Sequence, residues 1–193
     1  MRQDEGDAGQ EQGVSIESDR RTRFESIVVE VAEPVQRFLR RRANADDADD
    51  AYSETLLAIW RRLDDVPTDA VLPWTYGVAR RVLGNQRRAE GRRLRLVERV
   101  GSSEPDPLIE GPDVDTHPEV RDALDRLPAA DREVLTLWAW EELEPREIAL
   151  VLDTTANAIS LRLSRARSKL ADELRRQDAG RAGQEQGERP EGR

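Results

Sequence analysis

The amino-acid sequence predicts an all-α protein made of two small helical domains joined by an acidic flexible linker. Apolar residues recur at helical spacing on both sides of one proline-rich segment, and no stretch has the strict alternation of a half-buried strand. Of the 193 residues, 37% are hydrophobic and 37% are charged. That supply of apolar side chains suits two compact units of about 60–80 residues better than one large core.

The boundaries of the two domains follow from the composition of the segment between them. Residues 101–118 carry four prolines, five acidic residues and no lysine or arginine, which is the composition of a linker. We therefore predict one helical domain at 20–100 and a second at 119–177.

Both ends of the chain are polar and poor in apolar residues. Residues 1–19 hold six acidic residues and one arginine, and residues 178–193 are similar in composition. We expect both tails to be disordered, because neither can bury enough apolar surface to offset the entropy lost on ordering. Each tail contains the hexapeptide AGQEQG, at 8–13 and 182–187, whose role the sequence does not indicate.

Three helices are predicted in the first domain. The first runs from Phe24 to Ala43, where Pro34 is expected to kink or divide it. The second begins at a cluster of four aspartates between 46 and 50, whose charge suits the positive end of a helix dipole. The third begins near Pro73, after a loop at 64–72. The apolar stripes of the first two helices are Phe24, Ile27, Val28, Val31, Val35, Phe38 and Leu39, then Tyr52, Leu56, Ile59, Trp60 and Leu63.

The third helix separates apolar from basic side chains. Between Gly77 and Val100 there are eight arginines and two acidic residues, in a chain whose net charge is -9. Measured from Trp74 at about 100° per residue, the basic side spans about 220° to 360°. A basic side of this kind indicates either polyanion binding, which we favour, or an ordinary solvated face. Its members are Arg80, Arg81, Arg87, Arg88, Arg92 and Arg95, and the apolar side holds Tyr76, Val78, Ala79, Val82 and Leu83.

The second domain is predicted to hold four helices, at about 119–126, 129–141, 145–152 and 155–176. Pro128 and Pro145 each suit a first helical position. A tight turn at Leu152–Thr154, followed by Thr155 as N-cap, predicts a helix-turn-helix whose second member is the recognition helix.

The last helix has an apolar side and a polar side. The apolar side holds Ile159, Leu163, Ala166 and Leu170. Asparagine, serine and arginine side chains opposite them are of the types that bind base edges and phosphates in a major groove. Leu161 lies among them, where it could touch a thymine methyl group or a protein partner. The polar side and its flanks comprise Asn157, Ser160, Leu161, Arg162, Ser164, Arg165, Arg167 and Ser168.

Composition excludes several classes of function. The chain has no cysteine, and its one histidine, His117, lies in the linker, so a metal site or a cysteine or histidine catalyst is not expected. No phosphate-binding glycine loop is present, so we expect no enzyme and no cofactor. No apolar run approaches the ~20 residues that a membrane span requires, and no signal-peptide pattern opens the chain. We expect a soluble, cytoplasmic protein.

Three segments, in order, resemble the extracytoplasmic-function (group 4) sigma factors of the sigma-70 family. These are DADDAYSETLLAIWRRL at 47–63, LPWTYGVARRVLGNQRR at 72–88, and the stretch from Leu124 to Leu170, which is similar to the family's C-terminal DNA-binding domain. The resemblance covers about 24–97 and 119–176. Asp153 stands where the family commonly has a turn glycine.

The resemblance implies a transcription initiation factor that binds core RNA polymerase through the β′ clamp coiled coil and the β flap. Asp49, Asp50 and Glu54 would contact the polymerase, and the arginines of the third helix would hold the −10 promoter element while it melts. The loop at 64–73 would capture a flipped base, and the last helix would read the −35 element. The acidic linker would run through the polymerase channels that nascent RNA later uses. An anti-sigma factor is a further candidate partner. The alternative is a stand-alone helix-turn-helix regulator that binds promoter DNA without polymerase.

Overall fold

The structure, a computed structural model, describes the backbone of residues 7–97 and 117–187 and the side chains of residues 17–93 and 117–179. The described residues form seven α-helices and one 3-10 turn, with no strand among them, which confirms the predicted all-α class. The chain divides into two compact units, Met1–Glu104 and Pro105–Arg193. Within the described ranges, no helix is both long enough and apolar enough to cross a bilayer.

The first unit is a three-helix arrangement in which each helix packs on the other two. Its core is centred on the C-terminal half of the first helix, where Phe38 and Leu39 are fully buried and Phe38 lies 4.8 Å from the ring of Tyr76. The predicted stripe of the first helix is therefore confirmed. The elements are α1 (Asp7–Arg40), α2 (Ala45–Arg61), a 3-10 turn (Leu63–Asp65) and α3 (Val71–Val97).

The buried face of the second helix overlaps the predicted stripe, since Ile59 and Leu63 are fully buried, but it is displaced towards smaller residues. Ala48, Ala51 and Thr55 are fully buried together with Ile59, whereas Tyr52, Leu56 and Trp60 are half-buried. Small side chains lie where neighbouring helices pack, and the Thr55 hydroxyl donates to the carbonyl of Ala51 at 2.7 Å, so its burial leaves no unpaired donor. The N-terminus of α2 is capped by Asn44, whose side chain accepts from the backbone N–H of Asp47 at 2.9 Å.

Two prolines test the predicted boundaries of the helices. Pro34 was predicted to kink or divide its helix; it lies inside α1, which continues through it undivided. Pro73 is the third residue of α3, inside the first turn as predicted, where a missing N–H costs no intrahelical bond.

A long-range hydrogen bond ties α3 to the end of α1. The guanidinium of Arg87, which is half-buried, donates to the backbone carbonyl of Arg42, two residues beyond the end of α1. A cation suits this position, because helix C-termini carry unpaired carbonyls and a partial negative charge. Arg87 thus links α3 to the end of α1 within the first unit.

The second unit consists of four helices, and the last of them packs against the other three. Its core includes Leu137, Ile148 and Ile159, which are at most 1% exposed. Pro145 is the first residue of its helix, as predicted, whereas Pro128 is an N-cap and precedes its helix. The elements are α4 (Pro118–Asp125), α5 (Ala129–Ala139), α6 (Pro145–Leu152) and α7 (Ala156–Gly187).

The turn between α6 and α7 has the geometry that a helix-turn-helix requires. Asp153 adopts the left-handed conformation, with φ 53° and ψ 56°, and the N–H of Thr154 donates to the carbonyl of Ala149 at 3.0 Å. Thr155 then caps α7 by accepting from the N–H of Ala158 at 3.2 Å. The predicted turn and N-cap are confirmed.

Parts of both tails differ from the predicted disorder. Residues 7–19 belong to α1 and residues 178–187 belong to α7, so both copies of the hexapeptide have helical backbone. Once a packed segment has nucleated a helix, each further residue adds a hydrogen bond without a new nucleus, and alanine, glutamine and glutamate favour that extension. Residues 1–6 and 188–193, and the predicted linker up to residue 116, lie outside the described residues.

Replacing Arg87 with alanine is expected to destabilise the first unit by about 1 kcal/mol, because the carbonyl of Arg42 loses a charged donor. Arg88→Ala is the matched control: this neighbour is exposed, and its removal should cost less than about 0.5 kcal/mol. Urea titration with amide exchange in α1 and α3 measures both. Equal losses for the two variants would contradict the packing role of Arg87.

Asp153→Gly is expected to stabilise the second unit by about 0.5–1 kcal/mol, because glycine adopts positive φ without the steric cost that a Cβ imposes. Asp153→Val should have the opposite effect, since a β-branched residue is poorly tolerated in this region. The midpoints of urea unfolding test the order glycine, aspartate, valine. A glycine variant less stable than the parent would refute the argument.

Candidate nucleic-acid interface

The exposed side of α3 carries four arginines, Arg80, Arg81, Arg88 and Arg92, which we call the α3 basic face. The opposite side of the same helix is buried in the core of the first unit through Tyr76, Val78, Ala79 and Leu83. Because α3 can bury only that side, its charged residues lie on the arc that remains. The predicted separation of apolar and basic sides is therefore present in the folded unit.

Three members of the α3 basic face have no carboxylate partner. Among the described residues, no carboxylate lies within 4.0 Å of the guanidinium nitrogens of Arg81, Arg88 or Arg92. Arg88 donates to the neutral side-chain oxygen of Asn85 at 2.7 Å. The nearby ion pair of Arg93 with Glu90, at 3.8 Å, involves the next residue along. Exposed guanidinium groups such as these three attract polyanions.

One arginine predicted for this surface stands apart from it. Arg87 is half-buried and donates to the end of α1, so its guanidinium serves folding. The side chain of Arg95, also predicted for this surface, lies outside the described residues.

The loop between α2 and α3 is held by residues that the sequence analysis missed. Arg20 donates to the carboxylate of Asp64 at 2.8 Å and to the carbonyl of Trp60 at 3.4 Å, and Arg23 donates to the carbonyl of Val66 at 3.0 Å. These contacts join residues at least 40 positions apart, so no local pattern could have indicated them.

The rings near this loop also pack on α1. Phe24 meets the ring of Trp60 edge-on at 5.2 Å, and the guanidinium of Arg62 lies 5.5 Å from the ring centroid of Trp74. Both tryptophans are half-buried, in line with the predicted packing role.

The outward side of α2 displays the three predicted polymerase contacts. Asp49, Asp50 and Glu54 are all exposed, and Asp49 lies 3.6 Å from a guanidinium nitrogen of Arg40. Leu57, 46% exposed, lies three residues beyond Glu54 on the same side. Leu57 was not among the predicted contacts, although its position off the apolar stripe was a usable signal.

The outward side of α7 carries all seven predicted −35 residues, and each of them is exposed. Ile159, Leu163 and Ala166 are buried on the inward side, which confirms the predicted apolar face. Leu161 is 52% exposed. The Ser160 hydroxyl donates to the carbonyl of Ala156 at 2.9 Å, which leaves its oxygen able to accept from a partner.

Two side chains on the flanks of α7 contact α5. Lys169 forms an ion pair with the buried carboxylate of Asp131 at 2.5 Å. The guanidinium of Arg167 lies 3.8 Å from the ring centroid of Trp138. By contrast, no carboxylate among the described residues lies within 4.0 Å of the guanidinium nitrogens of Arg162 or Arg165. The recognition helix is thus anchored on its flanks and open on its outward side.

The acidic side chains form no cation site within the part of the chain that the structure describes. No group of three or more carboxylate, histidine or cysteine side chains there could hold a metal ion.

Comparison with family models gives two matches in chain order. The model described as "Sigma-70 region 2" matches residues 27–93, and "Sigma-70, region 4" matches residues 117–170. The first match contains α2 and the described part of the α3 basic face, and the second contains the helix-turn-helix.

Curated relatives extend over both matches. The chain is 33% identical over 132 residues to the ECF RNA polymerase sigma factor EcfG of Rhodopseudomonas palustris (strain TIE-1), covering 66% of this chain and 71% of that protein. It is 29% identical over 132 residues to the RNA polymerase sigma factor NccH of Alcaligenes xylosoxydans xylosoxydans, covering 64% of this chain and 71% of that protein.

Solved structures share the fold at lower sequence identity. The sigma factor RpoE of Bartonella quintana, solved with the anti-sigma factor NepR, has a TM-score of 0.59 and 22% identity, covering 79% of this chain and 96% of that chain. CnrH, solved with the cytosolic domain of CnrY, has a TM-score of 0.53 and 22% identity, covering 78% of this chain and 86% of that chain. With both sigma-70 regions matched and a curated relative 33% identical, the chain belongs to the extracytoplasmic-function sigma factors, the initiation factors that direct RNA polymerase to promoters.

Proposed function

We propose that this chain binds core RNA polymerase and leads it to promoters by holding the −10 element on the first unit and the −35 element on the second. The observation that carries the proposal is the placement of charge. In a chain of net charge -9, each unit exposes unpaired arginines on one side of one helix. Acidic side chains elsewhere repel DNA, which supports assigning DNA binding to these two helices.

In the second unit, α7 is proposed to read the −35 element in the major groove. Bases would be contacted by Asn157, Ser160, Leu161, Ser164 and Arg165, and phosphates by Arg162 and Arg167. Arginine binds guanine edges with two hydrogen bonds, and a leucine suits a thymine methyl group. The exposure of these side chains and the anchoring of the helix flanks by α5 support this assignment.

In the first unit, the α3 basic face is proposed to hold the phosphates of the −10 element, with Arg95 as a further candidate. Arg87 is withdrawn from that surface, because its guanidinium is already bound to the end of α1. The loop predicted at 64–73, whose last three residues belong to α3, is proposed to receive a flipped base. Unstacking a base costs a few kcal/mol, and a loop held by Arg20 and Arg23 is pre-ordered for that task.

The outward side of α2 is proposed to dock on the β′ clamp coiled coil, with the second unit contacting the β flap. Asp50 and Glu54 would supply charged contacts, Asp49 would exchange its pairing with Arg40, and Leu57 would supply the apolar centre of the contact. An exposed leucine bordered by charges is typical of a protein interface.

Regulation by an anti-sigma factor is part of the proposal. The sigma factor RpoE is solved bound to the anti-sigma factor NepR, and this chain shares its fold. We further propose that the protein works in the cytoplasm and has no catalytic activity of its own, as is general for sigma factors. The stand-alone regulator is disfavoured, because it leaves the region 2 match and the α3 basic face without a purpose.

Capture of core RNA polymerase followed by run-off transcription from genomic DNA tests the proposal. We expect the chain to retain core polymerase and to produce discrete transcripts that core polymerase alone does not make. Mapping their starts also yields the promoter sequence. Tight, specific binding of the free chain to that promoter duplex, with no gain from core polymerase, would instead establish the stand-alone regulator.

Reversing two charges on the α3 basic face, Arg88→Glu with Arg92→Glu, is expected to weaken holoenzyme binding to the mapped promoter by at least about tenfold. Phosphate contacts are lost and repulsion is added. Core polymerase capture should be unchanged, because these arginines lie on a different helix from Asp50 and Glu54. Fluorescence anisotropy of a labelled promoter fragment and a pull-down measure the two effects.

The matched control reverses the charge of two arginines of α1, Arg21→Glu with Arg37→Glu. It changes the net charge by the same amount as the double variant of the α3 basic face. Both are exposed, and neither belongs to the proposed DNA surface. An equal loss of promoter binding in this control would mean that net charge alone, rather than the α3 basic face, governs binding.

A further inference from the structure

The guanidinium of Arg167 on α7 lies over the indole ring of Trp138 on α5. The carbon at the centre of the guanidinium lies 3.8 Å from the centroid of the indole ring, which is the separation of a close stack. Two other arginine–tryptophan contacts, Arg20 with Trp60 and Arg62 with Trp74, are wider, at 5.6 Å and 5.5 Å.

Both partners of this stack are open to solvent. Trp138 is 40% exposed, among the most exposed large hydrophobic residues of the described chain, and Arg167 is also exposed. A tryptophan placed only to stabilise the fold would gain more from burial. Its position beside the recognition helix, on a residue predicted to contact DNA, calls for another explanation.

Stacking uses the flat face of a guanidinium and leaves its edge available. The N–H groups lie in the plane of the group, so they point away from the ring that the face covers. Among the described residues, no carboxylate lies within 4.0 Å of the guanidinium nitrogens of Arg167. The edge of the group can therefore donate to an oxyanion while the face remains on Trp138.

Holding this guanidinium in one place favours binding. A free arginine side chain loses considerable rotamer entropy when it is fixed by a phosphate. Where a tryptophan already fixes it, that loss occurs on folding and no longer opposes DNA binding. The other predicted phosphate contact of this helix, Arg162, has no aromatic partner among the described residues.

We propose that Trp138 is a positioning residue of the DNA interface: it holds the guanidinium of Arg167 so that its edge binds a backbone phosphate beside the −35 element. The proposal rests on the proposed function of α7 and adds a residue outside the helix-turn-helix. Trp138 itself does not touch DNA, so its effect passes through Arg167.

A double-mutant cycle in the holoenzyme tests the coupling, with a labelled fragment of the run-off-mapped promoter as the probe. Arg167→Ala alone should weaken binding about tenfold, and Trp138→Leu alone about threefold. In the Trp138→Leu background, Arg167→Ala should cost only about threefold instead of tenfold, because part of the contribution of the arginine has already been lost with its placement. Trp138→Phe, which keeps an aromatic face, should restore most of the affinity.

Salt dependence separates positioning from stability. Arg167→Ala should reduce the slope of log affinity against log salt by about one, and Trp138→Leu should reduce it by part of that amount. A residue that only stabilises the fold would lower the melting temperature without changing this slope. Arg165→Ala is the matched control, and its cost should be the same with Trp138 or leucine at position 138.

Equal costs of Arg167→Ala in the two backgrounds, or an unchanged salt slope in Trp138→Leu, would overturn the positioning role while leaving promoter binding by the parent chain intact. Absence of promoter binding by the parent holoenzyme would instead overturn the proposed function. The two failures are therefore distinguishable.

Discussion

The organisation of both units depends on one constraint: a helix in a small domain must bury a continuous apolar side, and everything charged has to share the remaining arc. In α3, burial of Tyr76, Val78, Ala79 and Leu83 forces the arginines together on the other side. In α7, burial of Ile159, Leu163 and Ala166 does the same for a mixed polar set. The burial of apolar side chains thus gathers the charged and polar residues of each helix on one exposed side, without any dedicated pocket.

This constraint explains why much of the architecture could be predicted from the sequence. Helical periodicity identified the core residues Val31, Val35 and Phe38, and the tight turn before Thr155 was read from residue types whose backbone preferences are local. In α2, the predicted stripe missed part of the buried side because the residues there are small. Ala48, Ala51 and Thr55 are buried, and a search for large apolar residues does not detect them.

The features that could not be predicted are contacts between distant parts of the chain. Arg87 looks identical to Arg88 in the sequence, yet one binds the end of α1 and the other faces solvent. The stack of Arg167 on Trp138 and the bonds from Arg20 and Arg23 to the α2–α3 loop likewise join separate helices. Such pairings depend on how helices cross, which no local pattern encodes. The extension of α1 and α7 into both tails was missed for a different reason, since helix propagation from a packed segment needs no apolar residues.

The hydrogen bonds from α1 to the α2–α3 loop couple the stability of two regions that are far apart in the chain. Arg20 and Arg23 lie in the part of α1 that precedes the main core, next to Phe24, which packs on Trp60. Unwinding this part of α1 would release the loop, and ordering of the loop would in turn stabilise these turns. The stability of this part of α1 is consequently coupled to that of the loop for which we propose base capture.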